Sequence, residues 1–482
     1  MPRLNAERQG ISRDEPKDLM GKGSGGVSAR AATAQLLRAI ACEAIRACDP
    51  ARAVERAVWA GAERLVVCDR TLRLRRKGRL LLIGYGKAAP GMTEGLRARI
   101  AEAGGARTIR GLIIAPRGGR APGRGRDPGP IERVTGDHPI PGRSSFESGR
   151  RALRLLSRAG EEDDVIFLAS GGGSSLLAAP LAPFLSAAEK AGLHRLLLAS
   201  GAPIESIYTV RKHLSAVKGG RLAKAARRVG SLTSLVVCDV DPNRYDEVAS
   251  GPSLPDRTTI DDMAAIIDRY GLAPGLPSRL LEGLRAGSLP ETPKPGASIF
   301  RRSRSQMILS NRDLRQAAVR SGLARGLSAE APPAEIAGIV DGAVEMVARA
   351  IEAAPPGTRL LVLGGEVRLV PSGPGVGGRA QEFALRLAIR MAGLSVRPWA
   401  FLAHGSDGID GNSPAAGGFV DATTLERARQ AGLDPAGALR ESDTYPFFKK
   451  LGDGFESGAT GTNVRDLYLL LTGEPLLTRR RG

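Results

Sequence analysis

At 482 residues the chain is longer than one hydrophobic core usually supports, so two domains are expected. Its 42% apolar and 25% charged residues are ordinary for a globular protein, and no apolar run approaches the ~20 residues that cross a bilayer, which predicts a cytoplasmic protein. A formal net charge of +20 raises nucleic acid as a partner, but the arginines are scattered through helices and aromatics are only 4%, so a solvated basic surface is the preferred reading.

Residues 1–27 are polar, glycine-rich and without periodicity, and are expected to form a disordered tail. Ser28–Ala47 reads as a helix with Leu36, Leu37, Ile40, Ala44 and Ile45 on one face, and Asp49-Pro50 as the N-cap and first residue of a second helix. Arg79–Ile83 is the first strand, followed directly by Gly84-Tyr85-Gly86-Lys87-Ala88-Ala89. Gly111–Ala115 is a second strand, 116–130 a basic Gly/Pro loop, and Ile131–Thr135 a third strand leading to Gly136-Asp137-His138-Pro139. Strands alternating with helices predict an α/β domain with a mainly parallel, Rossmann-like sheet.

The stretch Asp164–Leu177 is the centre of that domain: the apolar run Val165–Ala169, then Ser170-Gly171-Gly172-Gly173-Ser174-Ser175, then a helix expected as far as Pro180. A strand, a glycine turn and a helix start present bare N–H groups and a positive dipole end to an anion, so Gly171, Gly172, Gly173, Ser174 and Ser175 are candidate phosphate or substrate binders. Ile204–Val217 reads as one helix with Arg211, Ser215 and Lys218 on a common face, which adds Arg211 and Lys218 to that set. The proline- and glycine-rich 271–297 suggests a junction, giving a domain over 28–300 and a smaller α/β domain over 301–482, with Gln306–Ser310 its first strand and Val367–Val370 a hairpin arm.

Lys87, in a turn at a strand end, suits a phosphoryl group in flight. The GYGKAA turn also loosely matches a dinucleotide fingerprint, but the acidic residue expected ~20 positions on is missing and Pro116-Arg117 stands at the next strand end. Arg379 follows Gly373-Pro374-Gly375-Val376-Gly377-Gly378 in a helix's first turn, where a cation opposes the dipole. An anionic ligand would resolve that conflict, and without one the arginine is expected to be a local liability. Asp239, Asp407 and Asp410 lie just past strand ends, where carboxylates can hold Mg²⁺ with phosphate oxygens. The cysteines lack CxxC spacing and the four histidines lack ligand spacing, which argues against structural zinc. His138 reads as a loop residue, with a general base as the lesser option, and His213 as structural.

Taken together, GYGKAA, GDHPIP, SGGGSSLL, VRKHLSAVKGGRLA, ASGP, GGE, GPGVGGRAQEFAL, GSDGIDG and TGTNV, in that order over about residues 30–475, resemble the glycerate kinases that phosphorylate the 2-position, whose C-terminal portion is the MOFRL domain. The resemblance implies ATP- and Mg²⁺-dependent transfer to D-glycerate, giving 2-phosphoglycerate, with Lys87 and Arg379 in catalysis. Ala380, where asparagine is usual, and the strand Val367–Val370 depart from that pattern. The alternatives are an NAD(P)-dependent hydroxypyruvate reductase and a basic nucleic-acid-binding protein.

Overall fold

The computed structural model describes residues 28–61, 63–67, 70–73, 78–102, 109–117, 131–394 and 396–473; the expected tail 1–27 and nearly all of the 116–130 loop lie outside them. The first domain is built on a six-stranded, wholly parallel sheet. Its order is Ile131–Gly136, Ile109–Pro116, Leu80–Tyr85, Asp164–Ala169, Ser231–Val237 and Ser303–Leu309. Both central strands are buried along their whole length, with Leu82 opposite Ile166. This is why Leu81–Ile83 and Val165–Ala169 read as unbroken apolar runs rather than alternating ones.

The order of these strands marks where a ligand would be expected. From Leu80–Tyr85 the chain winds outward to one edge, then returns to Asp164–Ala169 and winds to the other edge. The reversal lies between those two central strands, and open parallel sheets bind ligands in the crevice beyond the carboxyl ends at such a point. Both glycine turns stand there.

Ser303–Leu309 is the sixth strand of the first sheet, so the passage into the second domain falls near residue 310, not at 300–301. The second sheet runs Ser328–Glu330, Arg359–Gly365, Asp466–Thr472, Trp399–Gly405, Gly417–Asp421, Gly454–Phe455, and only its first pair is parallel. Helices Val340–Glu352 and Arg379–Arg390 cover one face through Val347, Phe383, Leu387 and Phe401. The other face is covered by helices Asn311–Leu323 and Ala29–Ala47.

That last placement departs from the linear domain division. Helix Ala29–Ala47 is capped by Ser28, whose side chain accepts from the Ala31 amide, and its stripe Leu37, Ile40, Ala41 and Ala44 is fully buried. The stripe joins Leu402, Phe419 and Leu469 of the second sheet in one cluster that also takes in Leu82, Ile166 and Leu235 of the first. The domain sequence is therefore second, first, second.

Three local expectations also change. Val367–Val370 forms no hairpin; Arg368 makes an isolated parallel bridge to Ile339. The helix after the glycine turn has only four residues, Gly173–Leu176. Helix Ile204–His213 stops before Ser215, so Lys218 is not on its face. Periodicity alone also does not show that residues 181–214 and 260–289 build a helical layer with its own core, Leu193, Leu197, Ile207, Val210, Met263 and Ile267.

Candidate active site

The wall from the first domain is made of two turns locked against each other. The Lys87 amide donates to the Gly171 carbonyl at 2.9 Å, the Ser170 amide to Tyr85 at 3.0 Å, and the Ala88 amide to Ser170 Oγ at 3.0 Å. Gly86 has φ +114°, and a Cβ there would lie 2.3 Å from the Ser170 carbonyl oxygen, so only glycine lets the turns meet. At Gly171 an added Cβ would lie 2.0 Å from Asp239 Oδ2 and 2.9 Å from Asn463 Nδ2, and at Gly172 3.3 Å from Lys87 Cγ and 3.4 Å from His138 Cδ2. The glycine turn is thus the floor on which Lys87, His138, Asp239 and Asn463 converge. Among the described residues, the Gly171 and Gly172 amides have no acceptor within the protein. Any anion-binding capacity here rests on those amides and Lys87. A four-residue helix contributes no useful dipole, contrary to the sequence expectation.

Of the neighbouring candidates, Ser174 shares a hydrogen bond with Ser250 (Oγ to Oγ, 2.8 Å), and Ser175 Oγ turns back to the Gly172 carbonyl at 3.3 Å. Ala249 and Ser250 both have positive φ, 55° and 62°, in a segment fixed by the Gly219 and Gly220 amides. Each such non-glycine residue costs on the order of 1 kcal/mol or more, the kind of strain that gathers at functional sites. Lys218 is fully buried and donates to the carbonyls of Ser174 (2.5 Å) and Leu177 (3.1 Å). Its ammonium is thus taken up by carbonyls behind the glycine turn, where it braces that turn. Arg211 is 7% exposed, and among the described residues its side chain has no hydrogen-bond partner. His213 is structural, bonded to the Thr209 carbonyl and Glu291.

The second domain closes the site with charge. Lys87 Nζ bridges the seam to Asp407 Oδ2 at 2.8 Å. Arg379 grips Asp466 with two hydrogen bonds, Nε at 2.7 Å and Nη2 at 3.0 Å, and its Nη1 reaches Glu366. The anions that answer its conflict with the helix dipole are therefore these protein carboxylates. Burial opposes its charge, yet Asp466 and Glu366 more than reverse that effect and hold its pKa well above the ordinary arginine value. Three of the five guanidinium N–H groups are engaged and two remain.

The Asp410 carboxylate, a candidate metal ligand from sequence, caps helix Arg379–Arg390 by accepting from the Ala380 amide (3.0 Å), the Gln381 amide (2.9 Å) and Gln381 Nε2 (2.9 Å), so three of its acceptor sites are already taken by the protein. Among the described residues, no three His, Cys, Asp or Glu side chains gather as a metal-holding group. Magnesium needs only one or two carboxylates when phosphate supplies the rest, and the hard oxygens of Asp407 and Asp239 still suit it.

Asp239 has the clearest chemical poise. Burial, reinforced by the Glu366 charge, pushes its carboxyl up to about 7. Glu366 is also raised by burial, against the pull of Arg379. His138 is held below its ordinary value by lost solvation, with Lys87 adding to the effect. The sequence reading missed Glu366, Asp466, Asn463 and Ser250 as site residues. For Glu366, Asn463 and Ser250 the signal was present in GGE at the end of strand Arg359–Gly365, in TGTNV just before strand Asp466–Thr472, and in ASGP at the close of the turn segment Pro242–Ser250.

Residues 36–285 match a family described as a domain of unknown function, DUF4147, and residues 359–466 match the MOFRL family. A Pyrococcus horikoshii protein named glycerate 2-kinase is 32% identical over 91% of this chain and 96% of its own length. An Agrobacterium vitis protein with hydroxypyruvate reductase as a provisional name is 35% identical over 86% of this chain and 92% of its own. The crystal structure of a Thermotoga maritima glycerate kinase is similar with a TM-score of 0.74 and 31% identity, covering 92% of this chain and 99% of that one. Among the described residues no helix is long and apolar enough to cross a membrane.

Proposed function

The chain belongs to the glycerate 2-kinase family, and from that footing we propose that its cleft transfers the terminal phosphoryl group of ATP to the 2-hydroxyl of D-glycerate, giving 2-phosphoglycerate and ADP. The observation that carries the reading is the meeting, at the sheet's switch point, of two unpaired glycine amides, the Lys87 ammonium and a carboxylate with a raised pKa. The amides of Gly171 and Gly172 and the ammonium of Lys87 take phosphate oxygens, the positioning and charge neutralisation on which phosphoryl transfer depends. Asp239 accepts the proton of the 2-hydroxyl as that oxygen bonds to phosphorus and the bond to the ADP oxygen breaks. A pKa near 7 matches such a base to neutral pH. Arg379 fixes Glu366 beside Asp239.

Asp407, released from Lys87 when nucleotide arrives, is the residue that would hold Mg²⁺, which supplies charge compensation to the phosphates when bound. The test is a reaction of D-glycerate, ATP and Mg²⁺ with the product identified by phosphorus NMR. The proposal requires 2-phosphoglycerate and stoichiometric ADP. Formation of 3-phosphoglycerate, or NADH oxidation with hydroxypyruvate and no ATP use, would reject it. The strand next to the GYGKAA turn ends at Pro116-Arg117, with no carboxylate for the adenosine ribose of a dinucleotide, so the reductase reading has no support from that strand end.

A further inference from the structure

In the helical layer Lys190, Lys218, Arg211 and His194 form a buried basic group, and burial, with neighbouring cations adding to it, pulls both lysines well below the ordinary lysine pKa. Lys190 and Lys218 are fully buried, and their ammonium groups rest only on carbonyl oxygens: Arg211 and Leu214 for Lys190, Ser174 and Leu177 for Lys218. Next to them, Arg211 is 7% exposed and His194 is fully buried with both ring nitrogens unpartnered. Carbonyls spread out a lysine's charge, but nothing does so for Arg211. Its Nε is buried and unpaired, its side chain has no hydrogen bond or ion pair among the described residues, and its one opposing neighbour is the neutral Tyr208 hydroxyl. A buried charge without a counter-ion costs several kcal/mol, and proteins keep one where a ligand supplies the partner.

The geometry gives the direction and kind of ligand. The Nε faces protein, while the terminal nitrogens are not among the buried unpaired atoms, so the little exposure Arg211 has is at the end of its fork. That end lies within electrostatic range of His138, which stands over Gly172. Two parallel N–H groups with a blocked Nε fit a two-oxygen carboxylate, and the phosphate-competent groups, Lys87 and the glycine amides, are separate from it.

We propose that Arg211 is the specificity-determining residue that takes the carboxylate of the 2-hydroxy acid, so that the hydroxyl on the adjacent carbon is turned toward the glycine turn and Asp239. This inference rests on the kinase reading and deepens it. Discrimination against uncharged polyols follows from leaving that fork unpaired when no carboxylate is present.

The test compares the intact protein with Arg211→Met and Arg211→Lys, measuring melting temperature, KM for glycerate, KM for ATP, and relative turnover of glycerate and glyceramide. The expected result for Arg211→Met is an unchanged or raised melting temperature, a glycerate KM raised ten- to a hundredfold, an ATP KM within twofold of wild type, and a glycerate-to-glyceramide preference reduced at least tenfold. Arg211→Lys should recover part of the preference. Wild-type turnover with an unaltered glycerate KM in Arg211→Met would overturn the assignment. So would a matching rise in ATP KM, which would place a phosphate there, or a lower melting temperature with preference intact, which would make Arg211 structural. Wild-type protein that fails to phosphorylate glycerate would overturn the kinase reading and this inference with it.

Discussion

Lys87 and Asp407 form a half-exposed pair across the seam, and pairs of that kind add no more than about 1 kcal/mol to stability. Removing the lysine should therefore spare the fold and damage the chemistry: Lys87→Ala is expected to lower kcat by roughly 10²–10³, the usual loss for one preorganised donor, with melting temperature within a few degrees. Near-normal turnover would return Lys87 to a loop cation. Arg379 behaves in the opposite way. Asp466 is buried, so Arg379→Ala leaves an uncompensated carboxylate and should cost roughly 2–3 kcal/mol in denaturant unfolding, somewhat under the usual buried-pair loss because the guanidinium is partly exposed. That reverses the stabilisation expected from the helix-dipole argument alone. The sequence showed the conflict at Arg379 but not its resolution, since Asp466 is 87 positions away and only strand pairing brings it near. For Asp239 the folded pKa of about 7 lies above the unfolded aspartate value, so its contribution to stability is complete below about pH 4 and lost as pH rises through 7. Asp239→Asn should thus raise melting temperature at pH 8 relative to wild type and leave it unchanged near pH 4. In wild type, kcat/KM should climb with pH to a plateau above about 7, a limb absent from the residual activity of the variant. A pH-independent difference in melting temperature would contradict the assigned titration.

The elements most legible from sequence were those buried on both faces. Leu80–Tyr85 and Asp164–Ala169 announced themselves by continuous apolar runs, and Ala29–Ala47 by its 3.6-residue stripe. What periodicity could not give was the partner of each face. A helical stripe states that something covers it, not which sheet, and so Ala29–Ala47 was placed with the domain it precedes. Ser303–Leu309 was likewise assigned forward because a proline-rich stretch stands before it; that stretch is the end of the helical layer and not the junction. Leu37→Ala tests the revised seat. It is fully buried against the second sheet, so the substitution should cost about 2–5 kcal/mol, read by denaturant titration. Loss below 0.5 kcal/mol would mean that the helix is loosely attached.

For the whole molecule, the two domains share one hydrophobic cluster running from Leu82 and Ile166 through Leu37 and Ile40 to Leu402 and Phe419. Domains joined by a small polar interface unfold separately; these share their core. Calorimetry should show a single transition with calorimetric and van't Hoff enthalpies in agreement, and two resolved transitions would refute the shared core. The excess of arginine is also less available than its count suggests, since Arg150, Arg151 and Arg154 all converge on Glu147. The second-first-second order of the chain has a further consequence for synthesis. Helix Ala29–Ala47 leaves the ribosome roughly 350 residues ahead of the strand Trp399–Gly405 on which it comes to rest, an interval of about 20–70 s at ordinary elongation rates. Its apolar stripe must spend that time without its final partner while the whole first domain is made and folds. The helix that begins the architecture is among the last pieces to dock, and in the cell its exposed stripe is where a chaperone would have most to hold.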